Sequence, residues 1–133
     1  MILIVDDERD LANLLEKVFR YFGHEAVSVG TGMEALSMIH LRKPDLIVLD
    51  FQMPIMDGLT LLRAIRSDPA CNDIPVVMYS IDFSAETERR ARQAGAQDYI
   101  VKGTLGWDAM IQRINRLLPH PPQYPPPAPP RSD

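Results

Sequence analysis

Five short apolar runs rich in β-branched residues punctuate the chain, at Ile2–Val5, Ala26–Val29, Leu46–Leu49, Val76–Tyr79 and Tyr99–Val101. Runs of this length, bounded by polar and turn-forming residues, predict buried strands. The segments between them carry helical spacing instead. Leu11, Leu14, Leu15, Val18, Phe19 and Phe22 form an i, i+3, i+4, i+7 stripe, which Gly23 ends. Thr31 and Glu34 make a capping box for a second helix through Ala35, Leu36 and Ile39, and Pro44 marks where that helix has stopped. A third helix follows Asp57-Gly58 through Leu59, Leu62, Ile65 and Arg66. A fourth is expected from about Ser84 to Ala94, closed by Gly95. The last carries Trp107, Met110, Ile111, Ile114, Leu117 and Leu118.

The pattern is thus β-α, five times over. Short buried strands alternating with helices imply an α/β fold: a doubly wound parallel sheet covered on both faces, with right-handed crossovers. In such sheets a site forms outside the carboxyl ends of the strands, where strand order reverses. From Pro119 the composition changes. Eight of the last fifteen residues are proline, at 119, 121, 122, 125, 126, 127, 129 and 130. The expectation is one domain over residues 1–118 and a polyproline II or disordered tail, or a linker stub, over 119–133. Fully extended, that tail reaches roughly 45 Å at ~3.1 Å per residue. A ligand for a proline-recognising module is a further reading of the same segment.

Composition narrows the function classes. A net charge of -4 and a pI near 5.3 argue against a nucleic-acid-binding surface. Cys71 is the single cysteine, so no internal disulfide forms, which suits a reducing, cytoplasmic setting. No apolar run approaches the ~20 residues of a membrane span, and Met1-Ile-Leu-Ile-Val runs into acidic residues too soon for a signal peptide. His24, His40 and His120 have no spacing that suggests a ligand set and read as structural or exposed.

Polar residues that the apolar runs do not explain sit at four strand ends. The first strand ends in Asp6-Asp7-Glu8, the third in Asp50, the fourth in Ser80 and the fifth in Lys102. Singly, an Asp-Asp pair is a helix cap or a turn, a strand-end lysine is exposed, and a serine caps a turn. Together they bring carboxylates, a hydroxyl and an ammonium to one edge. Clustered carboxylates repel and raise a pKa unless a cation joins them. Mg²⁺ takes one or two carboxylates and completes its shell with water and phosphate. An aspartate can then attack phosphorus to give an acyl phosphate, while Lys102 and Ser80 meet phosphoryl oxygens.

Over residues 1 to about 118 the chain resembles the response-regulator receiver family. The resemblance is carried by Ile2-Leu3-Ile4-Val5-Asp6-Asp7-Glu8, Pro44-Asp45-Leu46-Ile47-Val48-Leu49-Asp50, Met53-Pro54-Ile55-Met56-Asp57-Gly58, Pro75-Val76-Val77-Met78-Tyr79-Ser80 and Gly95-Ala96-Gln97-Asp98-Tyr99-Ile100-Val101-Lys102. It implies a flavodoxin-like sheet of order 2-1-3-4-5 with five helices. It implies Asp50 as phosphoacceptor, Asp7 and Asp50 as direct ligands of Mg²⁺ or Mn²⁺, Asp6 acting largely through water, and the Gln52 backbone carbonyl as a further ligand. Lys102 pairs with the phosphoryl group and Ser80 hydrogen-bonds it. Tyr99 occupies the aromatic switch position and swings inward when Ser80 moves. Pro54 and Gly58 shape the loop after the acceptor.

The implied function is a phosphoacceptor signalling switch, not an enzyme acting on free metabolites. Its donor is a sensor histidine kinase or a histidine phosphotransfer protein. Phosphorylation alters the face of the fourth helix, fifth strand and fifth helix, which a downstream protein target or a removed output domain reads. After Leu118 no room is left in these residues for such a domain. Three positions depart from the family. Ile81 replaces a small residue and is expected to crowd the acyl phosphate and slow its hydrolysis. Lys102-Gly103 replaces Lys-Pro, which predicts a trans bond or a more mobile loop and leaves the resting place of Lys102 open. Gln52 replaces the residue types commoner at its position, which tunes hydrolysis. The alternatives are a degenerate receiver acting as a phosphorylation-independent binding module, and a Mg²⁺ phosphatase, whose first-strand Asp-x-Asp is absent here.

Overall fold

The structure is a computed structural model that describes residues 1–122; the part of the expected tail at 123–133 lies outside the described residues. The strands are β1 (Ile2–Val5), β2 (Ala26–Val29), β3 (Leu46–Leu49), β4 (Val76–Ser80) and β5 (Asp98–Val101). The helices are α1 (Arg9–Tyr21), α2 (Gly32–Leu41), α3 (Gly58–Ser67), α4 (Ala85–Gln93) and α5 (Trp107–Asn115). All four strand pairings are parallel, and the sheet runs β2-β1-β3-β4-β5. This is the flavodoxin-like order.

Each strand contributes alternate residues to two separate apolar layers, as a period-two element must when both faces are covered. Leu3, Val5, Ile47, Leu49, Val76, Met78 and Tyr99 face α2, α3 and α4. Ile2, Ile4, Leu46, Val48, Val77, Tyr79 and Ile100 face α1 and α5 around the fully buried Phe19. Local chemistry starts and stops the helices as expected. Thr31 Oγ1 accepts from the Glu34 N–H at 3.1 Å, Asp57 from Thr60 N–H at 2.8 Å, and Ser84 Oγ from Thr87 N–H at 3.2 Å. Gly23, at φ +92°, turns the chain out of α1 while the His24 N–H returns to the Phe19 carbonyl at 2.9 Å.

The last helix is shorter than its apolar stripe. It ends at Asn115, and Leu117 and Leu118 N–H groups donate to Ile114 and Asn115 in tight i→i+3 turns. His24 is buried and its Nε2 meets Asn115 Oδ1 at 2.9 Å, tying the α1–β2 turn to the end of α5. Cys71 is also buried, and its thiol donates to the Ile65 carbonyl.

Candidate functional site at the carboxyl edge of the sheet

The central pairings bring the strand ends together. Val5 is in register with Leu49, and Leu49 with Met78, while Ser80 is level with Val101. One residue beyond, the Asp50 N–H donates to the Val5 carbonyl at 2.9 Å and the Asp6 N–H to Val29 at 3.1 Å. The ladder therefore continues just far enough to hold both acidic backbones rigidly. Carboxylate oxygens of Asp6, Asp7 and Asp50 all lie within 4.8 Å of one another. Asp6 and Asp50 are buried and Asp7 is exposed. Lys102 reaches over from β5, its Nζ 3.1 Å from Asp6 Oδ2 and 3.7 Å from Asp50 Oδ1, with the Tyr79 ring 5.5 Å away.

Several backbone donors fix the acids. The Glu8 N–H donates to Asp6 Oδ1 at 2.9 Å, and the Gln52 N–H to Asp50 Oδ1 at 3.2 Å. Gly58 is sterically required: a Cβ there would stand 2.2 Å from the Asp50 carbonyl oxygen, so α3 can approach the acceptor's backbone only through glycine. Ile55, three residues earlier, holds φ +68° with its side chain in solvent. A β-branched residue rarely adopts that region, which places local strain in the loop beside the acids.

Electrostatics follow from this crowding. Burial pushes the Asp50 carboxyl up, Lys102 opposes that, and Asp6 adds to it; the outcome is a pKa raised to about 7. Burial works against the Lys102 ammonium, but Asp50 and Asp6 more than offset it and its pKa is raised. The donor set fits a small hard divalent cation, since three carboxylates converge and, among the described residues, no sulfur or imidazole joins them.

The remaining predicted residues fall into a second tier. Ser80 is fully buried, and its Oγ accepts from the Asp82 N–H at 3.1 Å. Tyr99 lies outside the acid cluster, beneath the β4–α4 loop. It is 3% exposed and its hydroxyl donates to the Asp82 carbonyl at 2.7 Å, so the ring already points inward. Gly103 holds φ +81°, and Lys102 rests on the acids rather than swinging free. Ile81, the residue after Ser80, is 65% exposed.

Two groups that sequence reasoning missed hold the surroundings. Arg9 bridges the Asp6 carbonyl and Ser28 Oγ at 3.1 and 2.9 Å. Asp82 accepts from the Ser84 N–H at 2.8 Å and Thr87 Oγ1 at 2.7 Å, stiffening the entry to α4. The only local signal for the latter was the S-x-x-T cap at Ser84 and Thr87.

A parallel five-stranded sheet with an acidic cluster and a lysine at its carboxyl edge defines a small α/β domain whose edge suits a divalent cation and an anionic group. Comparison with known proteins agrees. The family profile described as the response regulator receiver domain matches residues 2–115. The chain is 39% identical over 117 residues to the transcriptional regulatory protein PrrA of Mycobacterium tuberculosis, covering 88% of this chain and 49% of that protein. It is 38% identical over 116 residues to a gliding motility regulatory protein of Myxococcus xanthus, covering 87% of this chain and 15% of that one. The solved receiver domain of NtrX from Brucella abortus superimposes with a TM-score of 0.81 at 35% identity, over 89% of this chain and 98% of that one. The chain belongs to the response regulator receiver domain family of two-component systems. It spans about half, or less, of the length of the curated relatives named here.

Proposed function

We propose that the chain is a phosphoacceptor switch that takes a phosphoryl group on Asp50 from the histidine of a sensor kinase or a histidine phosphotransfer protein. The observation that supports this most is the convergence of three carboxylates within 4.8 Å with Lys102 at 3.1 and 3.7 Å from two of them. An Asp50 carboxylate oxygen bonds to phosphorus as the phosphorus–nitrogen bond breaks, and the departing imidazole takes up a proton. Asp7 and Asp50 directly, Asp6 through water and the Gln52 carbonyl would hold Mg²⁺ or Mn²⁺, whose charge offsets that of the phosphoryl oxygens when bound. Lys102 shifts its ammonium from the carboxylates to a phosphoryl oxygen, and Ser80 donates its hydroxyl to another. The fixed backbone of Asp50 means that little reorganisation accompanies transfer.

The signal has a short route outward. Ser80 Oγ accepts from the Asp82 N–H, and the Asp82 carbonyl accepts from Tyr99. Drawing Ser80 toward a phosphoryl group disturbs the first bond and, through the same residue, the second. Tyr99 sits on β5, where Asp98 joins Arg92 of α4 to Arg113 of α5. The α4-β5-α5 face therefore moves as one unit. A downstream protein target or an output domain reads it, in a cytoplasmic setting. The full set of Asp6, Asp7, Asp50, Ser80 and Lys102 argues against a phosphorylation-independent module.

The chemistry of the bond provides the test. After incubation with acetyl phosphate and Mg²⁺, protein-bound phosphate should be released by hydroxylamine, as an acyl phosphate is. Phosphate that resists hydroxylamine and survives acid, as a serine ester does, would contradict the assignment.

A further inference from the structure

Tyr79 is the penultimate residue of β4, one position before Ser80. Alternation along the strand turns it away from Ser80 and into the α1 and α5 layer, where it is 6% exposed. On the neighbouring strand Ile100 is level with Tyr79, and Lys102, two residues on, shares the face of Ile100. The ladder reaches that far, since the Lys102 N–H donates to the Ser80 carbonyl at 2.8 Å. The lysine stem therefore rises on the same side of the sheet as the tyrosine ring. Its Nζ lies over that ring, 5.5 Å from the centroid, inside the ~6 Å over which an aromatic face attracts a cation. The lysine side chain is 13% exposed, so the contact is largely out of water, where it is strongest.

The ammonium has a use for such a support. Lys102 also pairs with Asp6 and Asp50, at 3.1 and 3.7 Å, and both belong to the cluster suited to a divalent cation. When a cation takes those carboxylates, its charge offsets theirs and repels the ammonium. A lysine stem gains rotamer entropy on release to solvent. The residue after it adds no wall: a Cβ at Gly103 would meet nothing within 4 Å. The attraction of the ring remains, because the face of Tyr79 is not a ligand of the ion.

We propose that Tyr79 is a positioning residue, whose ring keeps the Lys102 ammonium at the carboxyl edge once a divalent cation occupies the acids, within reach of a phosphoryl oxygen. This role rests on the phosphoacceptor reading of Asp50, whereas the contact itself does not. The ring face acts and not the hydroxyl, so phenylalanine should replace tyrosine and leucine should not.

Lys17, Lys43 and Lys102 are the only lysines, so a full chain carrying isotope-labelled lysine gives a readable NMR spectrum, with the Lys102 signals assigned by Lys102→Arg. The ring current should displace the Lys102 side-chain methylene signals upfield in the parent and in Tyr79→Phe, and the displacement should persist at saturating Mg²⁺. In Tyr79→Leu, Mg²⁺ should move them to the positions of an exposed lysine. Transfer from acetyl phosphate, followed by intact mass, should slow about threefold to tenfold in Tyr79→Leu and match the parent in Tyr79→Phe, with Mg²⁺ affinity equal in all. Parent Lys102 signals that fall back to exposed positions when Mg²⁺ is added would overturn the proposal, as would equal transfer rates in parent and Tyr79→Leu. Loss of Mg²⁺ affinity alongside the rate in Tyr79→Leu would leave Tyr79 a packing role and overturn it too. Should the leucine variant fail to fold, the spectra of the parent and Tyr79→Phe with Mg²⁺ still decide. A parent that takes no phosphoryl group but keeps its displaced Lys102 signals in Mg²⁺ would count against the Asp50 reading and uphold the contact.

Discussion

Asp50 carries the largest electrostatic burden of any residue at the carboxyl edge. Its folded pKa is raised from 3.8 to about 7, by burial first and by Asp6 in part. A raised carboxyl contributes stability that is fully present below its unfolded pKa and lost as pH rises through the folded one. In metal-free protein, stability from this group should therefore decline between about pH 4 and pH 7. Asp50→Asn should flatten that decline and raise metal-free stability at pH 7.5 by on the order of 2 kcal/mol. Thermal melts across pH, in chelator, check it; a variant that melts with the parent's pH dependence would contradict the crowding. Asp7 is exposed and does not figure among the causes of the Asp50 shift. Asp7→Asn should thus raise the metal-free melting temperature less than Asp50→Asn does, while still weakening Mg²⁺ binding.

Among the elements, the proposed switch gives the β4–α4 connection two tasks, to set how long a phosphoryl group survives and to pass its presence on. Ile81 directly follows Ser80 and is exposed; the expectation that its bulk crowds the acyl phosphate has a direct test. Ile81→Ala should shorten the acyl-phosphate half-life several-fold, on the order of 1 kcal/mol in barrier; an unchanged half-life would remove Ile81 from the account. At the far end of the route, burial works to raise the Asp98 carboxyl, but Arg113 and Arg92 hold it below its ordinary range. A depressed carboxyl contributes stability above its unfolded pKa, lost as pH falls through the folded one. Asp98→Asn should cost about 1 kcal/mol near neutrality and nothing at the acid end of the titration. Equal destabilisation at pH 7 and in strong acid would show that the network holds α4, β5 and α5 by packing instead of charge.

At the scale of the whole molecule, the alternation of strands and helices was legible because every strand is buried on both faces and reads as a short apolar run. The two ends of β1 and β3 were legible for the opposite reason, since Asp6, Asp7 and Asp50 break those runs abruptly. Long-range partners were not. Nothing local to Arg9, Asp82 or His24 announces that they meet Ser28, Tyr99 and Asn115, because those pairings depend on how distant segments pack. The inward position of Tyr99 belongs to the same class: its hydroxyl is held by a backbone carbonyl seventeen residues away in sequence. The end of α5 was overrun because Leu117 and Leu118 continue its apolar spacing into turns that are no longer helical. The claim on which the account rests is that Asp50 accepts the phosphoryl group. Intact mass, measured after incubation with Mg²⁺ and acetyl phosphate, tests it on the parent and on Asp50→Ala. The account predicts one phosphoryl adduct on the parent and none on the variant. An adduct on both, or none on a parent shown separately to bind Mg²⁺, would contradict it.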